Sequence, residues 1–290
     1  MMVIMVHFVD TTSNAPTVSH VISGDGPVAG VTSLGDDVFV VRCDKSQQVE
    51  VYDAVTFTLQ RHLSVPGLCC SAGLAACASN KCLYASGFHS NHVHRVELSG
   101  SNAVTKWSVG SGPEGLIVNN AENVLVVIRH ERKLKEFTTH GTLVQTIQLQ
   151  LDIECPRRVV ELSNGQLMIS HTGIPGISHH RMCLLNVKGA VVRSYGGTPG
   201  SDLTKMNWPS ALAVDKNENI LVADGGNNRL LVLDRSLTSA REMSIAVDGG
   251  LTNPLSLWYD KSRGRLYVGE FDGLRLIIID HLKDFNASQV

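Results

Sequence analysis

Six of the twelve histidines fall into three short polar segments that also hold closely spaced basic residues. GFHSNH carries His89 and His92, RHERK carries His130, and SHTGIPGISHHR carries His171, His179 and His180. Arg129, Arg132 and Lys133 accompany His130, Arg181 closes the third segment, and Arg157 and Arg158 stand upstream of it. A guanidinium pairs bidentately with a carboxylate or a phosphate, so this set suits an acidic peptide, a phosphate group or RNA. Acidic company is sparse, with Glu131 inside the run and Glu114 upstream. The plainer reading is that hairpin tips are polar anyway and take His and Arg without any ligand. Zinc would need three or four donors about 2.0–2.1 Å from one point. Only His179 and His180 are neighbours and the others are scattered, so no metal site is expected.

Other chemistries are weaker still. No nucleophile-elbow string G-x-S-x-G occurs. Asp224 and Arg229 flank a Gly-Gly-Asn-Asn turn and are expected to lock a hairpin as a cross-strand ion pair. Such a pair contributes about 0–1 kcal/mol when exposed. The seven cysteines sit mostly in apolar runs, as buried thiols of a reducing, cytoplasmic setting do. Cys77 and Cys82 have the spacing of half a metal site, but no second pair completes it. Lys plus Arg (25) nearly balances Asp plus Glu (27), so the whole molecule offers no strong field to DNA or a membrane. No run approaches the roughly 20 apolar residues of a membrane span. MMVIMVHFVD lacks the basic start of a signal peptide and is interrupted by His7. No cofactor is called for.

The elements that must position these side chains repeat. From Trp208 to Asp234 the chain reads WPSALAVDKNENILVADGGNNRLLVLD, three short apolar runs separated by DKNEN and DGGNN. Gly and Asn accept the positive φ of tight hairpins, and runs of about four to six residues make strands rather than helices. The same grammar follows Pro27, Pro66, Pro113, Pro156 and Pro254. The six units recur about every 40–50 residues, the period of a four-stranded propeller blade. Outer strands are visible in TLQRHLSV, AVTKWSV, TLVQTIQL, VVRSYGG and REMSIAV, whereas HLKDFNASQV reads as a tail. The expected fold is all-β: a six-bladed β-propeller of four-stranded antiparallel blades over residues 17–280. A strand at Thr17–Ile22 supplies the missing fourth strand and removes both open edges. Residues 1–16 form a separate N-terminal segment in which Val3–Val9 is either an extra strand or an edge pairing, and residues 281–290 a tail. In such a ring the loops between second and third strands, with the starts of the first strands, crowd one face. All three basic segments belong there.

The strings PSALAVD, NILVAD and NNRLLVL resemble the NHL repeat, six of which form the terminal propeller of the tripartite-motif ubiquitin ligases. The resemblance spans roughly residues 17–280 and peaks in the fifth unit. Gln47, Gln48 and Val49 replace the Asn-x-Arg of the pattern in the first unit. The resemblance implies a non-catalytic interaction module that binds a protein partner through its basic face, as the substrate reader of a ubiquitin-ligase pathway. The residues hold no RING or B-box cysteine/histidine pattern, so ligase activity would reside in a partner or in an upstream part of the gene. RNA binding on the same face is the second reading. Phe88 is the only aromatic in the basic loops and the pI is near 6.6, so protein leads. A calcium-dependent, lactonase-like hydrolase is the third. Its cation would need more oxygens than Glu114 beside Arg157, a pair better matched to an ion pair, although Asp202, Asn207 and Asn253 are other rim positions. The amidating lyases, which also resemble NHL propellers, carry zinc-binding histidines at strand starts. None follows the six prolines here.

Overall fold

Apolar runs that are buried on both faces read as continuous stretches of Val, Leu and Ile, and the second strands of blades three and five have this character. In the computed structural model VLVVI (Val124–Ile128) and ILVAD (Ile220–Asp224) are buried along their whole length. Outer strands face solvent on one side, so LVQTIQ (Leu143–Gln148) keeps a single buried residue, Ile147. The structure describes residues 16–43, 47–68, 71–173, 179–280 and 282. Val3–Val9, most of the 281–290 segment and residues 174–178 of the blade-four insert lie outside them. Leu282, in the expected tail, is buried between blades five and six.

The described strands form six four-stranded antiparallel sheets, the blades of a β-propeller. Five blades take four successive strands each, and the sixth takes three from the end of the chain and one from its beginning. Thr17–Ser23 lies against Arg275–Asp280, with Ile22 opposite Leu276 and Thr17 opposite Asp280. The inner strands are Val28–Leu34, Ser71–Cys77, Pro113–Val118, Pro156–Glu161, Pro209–Val214 and Pro254–Asp260. Four of the six prolines therefore open a strand, where a missing N–H is tolerated.

No central core exists. Six hydrophobic clusters fill the six spaces between neighbouring blades. Successive side chains of a strand point to opposite faces. Thus Val124, Val126 and Ile128 pack toward blade two while Leu125 and Val127 pack toward blade four.

Two backbone features position the face that carries the basic loops. Every inner strand shifts register just after its first residue. Two residues into the strand, the blades carry Gly30, Gly73, Gly115, Arg158, Ala211 and Ser256 in order. The small residues are required by contact: a Cβ on Gly73 would stand 2.8 Å from the Leu116 nitrogen, and one on Gly115 would stand 2.7 Å from the Arg157 carbonyl oxygen. The residue before the third strand adopts a left-handed conformation in five blades, at Gln47, Asn91, Arg132, Asn228 and Leu274. Gln47 thus fills the same turn position as the Asn of blades two and five, and its Oε1 accepts from the Gly67 N–H.

Candidate functional site

The loops between second and third strands and the starts of the inner strands share one face, since Pro113 pairs with Ile128, Pro156 with His171 and Pro209 with Asp224. At its centre the buried Glu114 of blade three receives two guanidinium groups. Arg157 approaches Oε1 at 3.1 Å and Arg129 approaches Oε2 at 3.3 Å. The expected Glu114–Arg157 ion pair is present, and one carboxylate balances two cations. Aromatic rings flank both. Arg157 lies 5.0 Å from the Trp208 ring centroid and Arg129 lies 5.9 Å from that of Phe88. His130 meets the edge of Phe88 at 5.4 Å, and its Nδ1 lies 3.1 Å from the Ser111 hydroxyl. Burial lowers the pKa of Arg157, whose Nε has no partner among the described residues.

The remaining basic residues separate. Lys133 pairs with Glu131 at 3.3 Å, and Arg132 donates to the Leu151 carbonyl. Arg181 is held by the Asp152 carboxylate and donates to His171 Nε2 at 2.7 Å. His171 is fully buried, so it is not on a ligand-facing surface; burial, with Arg181 beside it, holds its pKa down to about 3. Since Nε2 accepts, its proton resides on Nδ1. His180 is also buried, and its Nδ1 accepts from the Trp208 N–H at 3.0 Å. His179 is exposed. The face is therefore less basic than its sequence suggests. Among the described residues, Arg132 keeps its place on this face without an ion pair.

Asp224 and Arg229 pair at 2.8 Å as expected, but in the interior rather than at the surface. Asp224 also accepts from Asn227 Nδ2 and from the Asn207 N–H, while Arg229 donates to the carbonyls of Ser201, Asp202 and Lys205. Blade six repeats the device with Glu270 and Arg275, and blade four substitutes the neutral His171 for the acid opposite Arg181.

Two residues of the site were hidden in the sequence. Trp208, 40% exposed in a left-handed conformation, reads as the boundary of a repeat and is a prominent side chain of this face. Asp152 lies in the loop ahead of Pro156 and neutralises Arg181. Arg158 leaves the face altogether. It lines the central channel, a cavity of about 870 Å3 bounded by all six inner strands. Among the described residues no group of three or more His, Cys, Asp or Glu side chains is placed to hold a metal ion. Cys77 and Cys82 lie opposite each other as free thiols. Among the described residues no helix is long and apolar enough to cross a membrane.

Residues 206–233 match the family model of the NHL repeat. No curated protein matches the sequence. Solved propellers match the fold over nearly the whole chain. Virginiamycin B lyase from Staphylococcus aureus superposes with a TM-score of 0.63 at 9% identity, covering 90% of this chain and 98% of that one. A streptogramin B lyase gives 0.61 at 13%, covering 91% and 96%. Hydrazine synthase of Kuenenia stuttgartiensis gives 0.66 at 14%, covering 96% and 100%. At such identities these likenesses show the fold alone. The chain is a six-bladed β-propeller carrying an NHL repeat.

Proposed function

We propose that this propeller is a non-catalytic interaction module that holds an acidic segment of a protein partner on the face around Glu114. The observation that carries the reading is the pairing of guanidinium with aromatic surface, Arg157 with the exposed Trp208 and Arg129 with the half-buried Phe88. Trp and Arg are the residue types that dominate binding hot spots. The platform is also rigid, because the Trp208 backbone is tied to His180 and the adjoining Asn207 to Asp224. Arg132, without an ion pair among the described residues, adds a cation at the rim. The NHL repeat supports a place as the substrate-reading part of a ubiquitin-ligase pathway. The free thiols Cys77, Cys82 and Cys183 fit a reducing, cytoplasmic setting.

Peptides selected from a random displayed library test the assignment. Enrichment of acidic sequences is expected, with affinity falling at least tenfold in Arg132→Asn and in Trp208→Ala. Lys261→Glu, at the opposite end of the channel, should change nothing. Arg157 is unsuitable for charge reversal, because that change would place a second carboxyl group beside the buried Glu114. Selection of sequences without acidic residues, or binding indifferent to both face variants, overturns the proposal. RNA is the second reading, favoured by Trp208 as a further ring on which a base can stack beside a cation. Homopolymer RNA bound with a steep salt dependence, in the absence of peptide binding, would put RNA in place of protein. The lyase neighbours share only the fold. Lactonase turnover with stoichiometric calcium in the purified protein would establish the hydrolase reading instead.

A further inference from the structure

The column of small residues two positions into each inner strand is broken only once, by Arg158. Its side chain enters the channel and reaches across it, where Nη2 donates to the Ala29 carbonyl of the opposite blade at a long 3.3 Å. Nη1 is buried without a partner among the described residues. Among the described residues no carboxylate forms an ion pair with it, since Glu114 is taken up by Arg157 and Arg129. A guanidinium held in the interior without a countercharge is costly, and an anionic ligand removes that cost. Desolvation lowers the Arg158 pKa to about 10, which leaves it charged at neutral pH.

The middle of the channel is mainly apolar, with Ser33, Asn120 and Ser256 as polar points. Val31, Leu74, Leu116, Val159, Leu212 and Leu257 form its wall. The cavity of about 870 Å3 lies within the range of small-molecule sites, roughly 300–1,000 Å3. It extends from Arg158 away from the basic loops, to the strand end at Glu161 and the turns that hold Asp36, Asn120, Lys261 and Arg263. At that mouth Arg263 neutralises Asp36 and Asp260, at 2.8 and 3.1 Å.

We propose that the channel binds a small amphipathic carboxylate, its anionic head on Arg158 and its apolar body along the aliphatic wall toward the Asp36–Arg263 end. A single open guanidinium matches a singly charged group better than a phosphate, and the mainly aliphatic lining suits an apolar body better than a hydrophilic one. The site is separate from the Glu114 face and stands or falls independently of the partner-binding reading.

Calorimetric titration of the whole chain with octanoate, octanamide and octyl phosphate tests it. Octanoate should bind saturably at one per chain, and octanamide, the neutral isostere, at least tenfold more weakly. Octyl phosphate should bind no better than octanoate. Arg158→Met should lose at least tenfold in octanoate affinity, while Arg132→Asn and Trp208→Ala keep it, so that failure of the face and failure of the channel are told apart. Should Arg158→Met not fold, the comparison of octanoate with octanamide on the unaltered protein decides. Absence of octanoate binding, equal binding of the amide, tighter binding of the phosphate or full affinity in Arg158→Met each overturns the proposal.

Discussion

Replacing Asp224 by Asn keeps the shape of the side chain and removes its charge. In blade five that charge faces Arg229 at 2.8 Å with both residues nearly inaccessible to water. The amide can still accept one hydrogen bond, but it leaves the guanidinium with backbone carbonyls and the more exposed Glu242 at 3.6 Å. Removing one partner of a buried ion pair destabilises by about 3–5 kcal/mol, because the other charge stays desolvated. That is a large fraction of the roughly 5–15 kcal/mol that separates folded from unfolded domains. Urea denaturation followed by circular dichroism should show a lowered midpoint with an unchanged slope. Because Asp224 Oδ1 also accepts from the Asn207 N–H, the loop bearing Trp208 should loosen and peptide binding weaken in parallel. Arg229→Met in the Asp224→Asn background removes the stranded cation, and much of the lost stability should return. Glu270→Gln in blade six should behave like Asp224→Asn. A loss below about 1 kcal/mol, the ordinary value for an exposed pair, would refute the assignment of this pair as a buried hairpin lock.

Arg132→Asn relieves a left-handed conformation that Asn tolerates, and the urea midpoint should rise by the equivalent of roughly 1 kcal/mol even as partner affinity falls. His171 and His94 are buried with pKa values near 3 and 4, below the 6.5 of an unfolded histidine. The unfolded chain therefore binds protons first as pH falls, so their contribution is complete above pH 6.5 and declines below it. Each should remove about 2 kcal/mol between pH 6.5 and 5, and His171→Gln should flatten the slope of stability against pH by one proton. Gly115→Ala drives a methyl against the Arg157 carbonyl and should destabilise by about 1–3 kcal/mol, measured by the same urea transitions.

The blades were legible because what makes them is local. Short runs such as ILVA and LLVL, and turns such as DGGNN, state strand and hairpin without reference to the rest of the chain. The closing strand was legible as well, since the sixth unit lacked a partner that Thr17–Ile22 could supply. The site was only half legible. Glu114 and Arg157 occupy the same position in neighbouring blades, so aligning the prolines brings them together. Burial does not align in this way. His171 and His180 sit among loop residues in the sequence, yet the position opposite Arg181 and the backbone of Trp208 claim them for the interior. Arg158 stood in a column of glycine, alanine and serine. The signal was there once the residues that the inner strands pack against were compared blade by blade.

The clasp between Thr17–Ser23 and Arg275–Asp280 joins segments far apart in the chain, with a separation of 259 residues from the Ser19 hydroxyl to the Ile278 carbonyl that accepts from it. At ribosomal speeds of about 5–20 residues per second, the earlier strand waits roughly 10–50 seconds for its mate to emerge. Throughout that interval five blades can assemble from neighbouring sequence, but the ring stays an open crescent with a bare strand edge at each end. Its vulnerability during synthesis is therefore concentrated at one seam. Any chaperone that shields this chain would have to guard that seam until the final blade is made.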